Sequence, residues 1–347
     1  MRTLTQLYKR GQSPWYDNLS KGLIESGDLS KLVDGGIVGV TSNPTIFDQA
    51  ISGSSDYDSS LKNCKERGLS PEETYWELVC NDIAAAADVL RPIYDSTNGK
   101  DGYVSVEVSP MLAHKTAETI AQANELFARI SKDNVMIKIP ATPQGIPAIE
   151  AVLANSIPVN VTLIFSQDRY IDVVNAYKAG VAKAQKSAAS VASFFISRLD
   201  SKVDAQLQSD SDLLGKAAIA NAGVVYDLFE QNFDKSERET AQRPLWASTS
   251  TKNDSYSPTL YVDELIDSNT VNTLPHVTID AISTSDGDFP AQNLADEIET
   301  HKKTWEQVVV AVPIDAILKE LEVEGVSSFE KSYESCIASI SARLADL

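Results

Sequence analysis

Val135-Met136-Ile137-Lys138-Ile139-Pro140 is the stretch that decides how this chain folds. The run is apolar, rich in β-branched residues and bounded by Asn134 and Pro140, which predicts a buried strand. Its lysine is out of place, because lysine is rarely buried without a partner or a task. Burial disfavours the ammonium form, and a neutral amine facing a carbonyl compound condenses with it to a Schiff base. The plainer alternative is a strand-end lysine whose head reaches water. The rest of the chain decides between the two.

Short apolar runs like this one recur, with longer helical stretches between them. Strands are expected at Gly36–Val40, Tyr103–Val108, Val135–Ile139, Val159–Phe165, Val191–Ile196, Leu245–Ser248 and Thr270–Leu274. A shorter extended piece, Pro14–Asp17, makes an eighth. Helices are expected at Pro71–Tyr94, Leu112–Ile130, Pro147–Ala154 and Arg169–Lys186, and a terminal one from Pro313 onwards. Glu72 and Glu73 behind Pro71 suit a helix start. Alternation of this kind implies parallel strands joined by helical crossovers, and eight units point to a (β/α)₈ barrel of the α/β class. The polar stretch 49–71 reads as a loop or an added helix, and 231–244 and 284–304 read as insertions. No repeat, linker or low-complexity tract marks a second domain, so residues 1–347 are expected to form one barrel with extra helices and a C-terminal helix.

The totals narrow the function. A hydrophobic content of 43% suits a globular core, and no run of about 18 apolar residues exists to span a membrane. A net charge of −19 argues against nucleic acid, so an anionic substrate would have to be caught by a few placed cations. The three cysteines, Cys64, Cys80 and Cys336, lack metal-type spacing, and His114, His276 and His301 are not paired at ligand spacing. Reduced thiols in a cytoplasmic protein, with no metal and no cofactor, are the expectation.

Most of the expected strands carry one polar residue near the carboxyl end. Asp17 follows Trp15-Tyr16, Asn43 closes Gly39-Val40-Thr41-Ser42-Asn43, and Glu107 interrupts Tyr103–Val108. Asn160 and Thr162, two apart, share one face of the fifth strand, and Ser193 sits in the sixth. Each alone could be a satisfied core group. Their recurrence at the end where barrels of this type build their active sites describes one polar pocket centred on Lys138.

Five segments resemble the transaldolase family, in its longer bacterial form. They are Thr41-Ser42-Asn43-Pro44-Thr45-Ile46-Phe47, Val104-Ser105-Val106-Glu107-Val108-Ser109-Pro110, Val135 to Thr142, Val159 to Ser166 and Ser193 to Asp200. The resemblance runs in order to about residue 275, roughly four fifths of the chain. It implies a class I aldolase-type barrel with the lysine on the fourth strand, and transfer of a dihydroxyacetone unit between sugar phosphates in the pentose phosphate pathway. By the same resemblance Lys138 forms the imine, and Glu107 moves protons through a water held by Thr162. Asp17 takes the hydroxyl proton, Asn43 and Asn160 hold sugar hydroxyls, and Ser193 binds the terminal hydroxyl. Arg198 matches the family's phosphate arginine, and its planar fork suits phosphate oxygens. A second cation belongs after strand seven, where Lys252 stands in place of the arginine of other branches. A monomer or homodimer is expected.

Three rivals remain at this point. An aldolase of the same family would release dihydroxyacetone from fructose 6-phosphate instead of transferring it. A barrel that merely binds sugar phosphates need not have kept Lys138, Glu107 and Asp17 together. A nucleotide-dependent oxidoreductase is suggested only by Gly35-Gly36-Ile37-Val38-Gly39, which is not the dinucleotide fingerprint.

Overall fold

The computed structural model describes residues 1–238 and 240–347. Its eight strands are β1 Gln12–Tyr16, β2 Gly39–Thr41, β3 Val104–Glu107, β4 Val135–Pro140, β5 Val159–Ile164, β6 Ser190–Phe195, β7 Arg243–Ala247 and β8 Thr270–Leu274. They run parallel in sequence order, and β8 pairs with β1 to close the barrel. Closure leaves no strand edge unpaired. With helices between the strands, this is the expected (β/α)₈ barrel.

Register then places side chains. Glu107 on β3 lies opposite Lys138 on β4, and Lys138 lies opposite Asn160 on β5. Because side chains alternate across a strand, Ser105 and Glu107, Met136 and Lys138, and Asn160 and Thr162 form successive pairs facing the interior. At the amino end the interior is plugged by a buried ion pair, Arg243 to Asp101 at 3.0 Å, with Ser13 donating to Asp101 at 3.0 Å. Above it Trp15 is fully buried, and Gly39 on β2 gives it room: a Cβ there would lie 2.4 Å from the indole. The plug and the indole fill the lower barrel, so the chemistry is left to the carboxyl end.

The helix Pro71–Ser96 begins as its residues dictate, with a capping box between Ser70 and Glu73 and a proline in the first turn. The C-terminal helix Ile314–Asp346 buries Ile317, Leu321, Gly325, Phe329, Tyr333, Cys336 and Ile340, a stripe spaced three or four residues apart. That stripe packs on the helices Pro44–Gly53 and Pro71–Ser96 and reaches the end of β5.

Several expected boundaries are corrected. The second strand starts at Gly39 rather than Gly36, because Gly35 and Gly36 end the helix Asp28–Asp34 and Gly36 turns the chain at φ +112°. Stretch 49–71 contains the end of Pro44–Gly53 and the added helix Asp58–Glu66. Stretch 231–244 is no insertion: it spans the tail of the helix Ala217–Asn232 and the first residues of β7, and residue 239 lies outside the described residues. Stretch 284–304 holds a short 3₁₀ turn, Leu294–Glu297, and the start of the helix Ile298–Ala311. That helix packs on Ala217–Asn232, with His301 set against Gly223. Cys64, Cys80 and Cys336 are buried and unpaired, and no helix among the described residues is long and apolar enough to cross a membrane.

Candidate active site

A cavity of about 390 Å³ opens at the carboxyl end of the strands. Lys138 lines it, together with Asp17, Thr41, Asn43, Ser193 and Phe195 from the strand ends and Arg198 and Lys252 from the segments beyond. The amine therefore faces the interior of the cylinder, not the outer helices. It is 4% exposed, donates to the carbonyl of Ser42 at 3.2 Å and lies 3.5 Å from Glu107 Oε2.

Glu107 is buried as deeply. Desolvation is the largest influence on its carboxyl and raises it to about 7; Lys138 and Arg198 oppose the rise. Among the described residues its Oε2 has no hydrogen-bond partner beyond the approach of Lys138, and neither has Oγ1 of Thr162 or Thr41. An unpartnered buried carboxyl oxygen beside the amine, with unpaired threonine oxygens on β2 and β5, calls for small polar guests, since a buried polar group left unpaired is costly. Asp17 is only half-buried, but its exposed part opens on the cavity. The surrounding protein still pushes its carboxyl above the ordinary range, against the pull of Lys138, Lys252 and Arg198. A carboxyl so placed is suited to take up a proton.

Asn43 caps the helix Pro44–Gly53, its side-chain oxygen accepting from Ile46 N at 3.0 Å. Its amide nitrogen has no partner among the described residues, and the residue lines the cavity. Asn160 is buried between Ser105 and Ser193. Its amide donates to Ser105 Oγ at 3.0 Å and its oxygen accepts from Ser193 Oγ at 2.7 Å, and Ser193, not Asn160, lines the cavity.

The two cations stand on the segments that follow β6 and β7. Arg198, in the first turn of the helix Ser197–Asp204, stacks 5.2 Å from the Phe195 ring and has no carboxylate within ion-pair distance among the described residues. Desolvation lowers its pKa. Lys252 is exposed and donates to Ser250 Oγ at 2.8 Å. The segments are tied together. Ser197 bonds Ser248 through side chains at 2.9 Å and backbone at 3.0 Å, and Ser248 leaves β7 with φ +57°. Tyr256 and Tyr261 donate to Asp204 and Asp200, both at 2.7 Å. An arginine without a carboxylate, lining one cavity with a lysine on a braced frame, is suited to an anion such as phosphate.

The profile of the transaldolase/fructose-6-phosphate aldolase family matches residues 14–340. The chain belongs to this family. Among curated transaldolase-family relatives it is 44% identical to the transaldolase of Saccharopolyspora erythraea, over 98% of this chain and 97% of that protein. It is 43% identical to the transaldolase of Thermobifida fusca, over 99% and 98% of the two chains. With transaldolase 1 of Streptomyces coelicolor the identity is 42%, over 98% and 94%.

Within this transaldolase-family barrel several cavity residues escaped the sequence reading, and one of them sets an aromatic ring near the amine. Phe329 of the C-terminal helix is buried, lines the cavity and sets its ring 5.8 Å from Lys138 Nζ. The only signal for it was the helical stripe of apolar residues, which by itself describes packing.

Proposed function

We propose that the chain is a transaldolase that carries a dihydroxyacetone unit on Lys138 from a ketose phosphate to an aldose phosphate. The observation that carries this reading is the amine on β4: buried, facing a polar cavity, 3.5 Å from a carboxyl of pKa about 7, with two cations at the cavity's rim. Fructose 6-phosphate or sedoheptulose 7-phosphate would be the donor, and glyceraldehyde 3-phosphate or erythrose 4-phosphate the acceptor. These are reactions of the pentose phosphate pathway in the cytoplasm. We place the chain there as one catalytic domain, a monomer or homodimer, needing no cofactor or metal.

Lys138 Nζ adds to the ketose carbonyl. Glu107, through a water held by Thr162, takes the amine's surplus proton and returns one to the departing hydroxyl, so that water leaves and the imine forms. Asp17 removes the proton from the hydroxyl on the carbon beyond the scissile bond. The carbon–carbon bond then breaks into an aldehyde, and its electron pair enters the imine as an enamine. The aldose phosphate leaves, the acceptor aldehyde is attacked by the enamine carbon, and Asp17 returns its proton to the new alkoxide. Water hydrolyses the imine. Asn43 and Ser193 hold substrate hydroxyls, Asn160 keeps Ser193 in place, and Arg198 and Lys252 take the phosphate.

Product analysis tests the reading. Fructose 6-phosphate with erythrose 4-phosphate should give sedoheptulose 7-phosphate and glyceraldehyde 3-phosphate, with little free dihydroxyacetone. Dihydroxyacetone released as fast as transfer would make the chain an aldolase instead. Absence of turnover with intact binding would make it a sugar-phosphate receptor.

A further inference from the structure

We propose that Phe329 is a specificity-determining residue: its ring roofs Lys138, keeps water from the three-carbon enamine, and so favours transfer over release. This rests on the transaldolase reading and adds to it the feature that a transferase needs and an aldolase does not. The intermediate must wait for an acceptor without being quenched by a proton.

The geometry supports the assignment at two levels. Phe329 lies over the amine and walls the cavity beside Ser328, so the C-terminal helix contributes directly to the space where the intermediate sits. One turn earlier on the same buried stripe is Gly325, which meets β5 at Leu163. A Cβ on Gly325 would come within 2.9 Å of the Leu163 side chain, so the absence of a side chain lets the helix settle onto the strand. Leu163 adopts φ +58°, in the left-handed region that a leucine rarely enters, at a break in register between β5 and β6. Such strain persists where surrounding structure over-determines it. Here it tips a buried leucine under the helix, next in sequence to Thr162 on the same strand. Leu163 and Gly325 thus act as positioning residues, and Phe329 as the roof they place.

Release, when it occurs, is balanced as follows. The enamine carbon takes a proton from a water, whose hydroxide is neutralised by the proton that Asp17 holds, giving the dihydroxyacetone imine. A water then adds to that imine, and the carbon–nitrogen bond breaks to give dihydroxyacetone and the free amine. The protonation needs solvent to reach the carbon that Phe329 covers, whereas the hydrolysis is common to release and transfer. Cutting the ring back to a methyl vacates more than the about 30 Å³ share of one water molecule.

The test uses the full-length enzyme with fructose 6-phosphate and erythrose 4-phosphate, measuring transfer and dihydroxyacetone release together. In Phe329→Ala the release-to-transfer ratio should rise about tenfold or more, while borohydride still traps the imine on Lys138. Phe329→Leu should fall between this variant and the parent. Simple structural damage would lower both rates and leave the ratio where it was. An unchanged ratio in folded Phe329→Ala overturns the proposal; if that variant does not fold, an unchanged ratio in Phe329→Leu does so. Failure of the parent enzyme to transfer at all would instead remove the transaldolase reading.

Discussion

Glu107→Gln is the substitution that most directly separates chemistry from packing, because the two side chains have nearly the same shape. Burial moves the Glu107 carboxyl from 4.5 up to about 7, beside an amine 3.5 Å away. Lysine attacks only as the free base, so the competent pair holds one proton between amine and carboxyl. The doubly protonated pair, which gains ground below about pH 7, is inert, and kcat/KM should drop about tenfold for each pH step below that ionisation. Glutamine relays no proton, so imine formation in the variant should be slower by about 10²–10⁴-fold. The ionisation near pH 7 should also vanish from its profile. The same shift has a signature in stability. A carboxyl raised on folding binds its proton more tightly in the native state, so its contribution is fully present below about pH 4.5 and is lost as pH rises through 7. At about 1.4 kcal/mol per factor of ten, this amounts to about 3 kcal/mol. Thermal melts should therefore show the parent losing stability relative to Glu107→Gln between those pH values. Stopped-flow imine formation and paired pH–rate profiles provide the assay. A variant with parental rate and the same acid limb would refute the proton-transfer role.

The remaining expectations concern the phosphate frame and the barrel interior. Arg198→Ala should raise KM for phosphorylated donors far more than for unphosphorylated dihydroxyacetone donors; steady-state kinetics with both checks it, and an equal loss would indicate a collapsed site. Gly39→Ala drives a methyl to 2.4 Å from the Trp15 indole, and should lower stability by about 1–3 kcal/mol, read from the midpoint of urea unfolding. An unmoved midpoint would mean that the barrel interior has slack at that level.

The residues explain what could and could not be read before folding. Lys138 was legible because it breaks an apolar run, and the barrel because such runs alternate with helical ones. Gly36 was misplaced because a glycine that turns at positive φ looks, in one dimension, like the start of the apolar run it precedes. The helix Ala217–Asn232 went unread because it is buried on nearly every side and shows no stripe. Asn160 illustrates a different limit. Its spacing from Thr162 gave its face, but Ser105 and Ser193, which occupy its hydrogen bonds, come from strands more than thirty residues away. Phe329 is the extreme case, since nothing local tells a core phenylalanine from one that covers a reactive amine.

Borohydride reduction in the presence of fructose 6-phosphate, followed by peptide mass analysis, tests the central claim most directly. The dihydroxyacetone mass should appear on the peptide containing Lys138 and be lost in Lys138→Met. Labelling of a different lysine, or turnover that survives Lys138→Met, would contradict it.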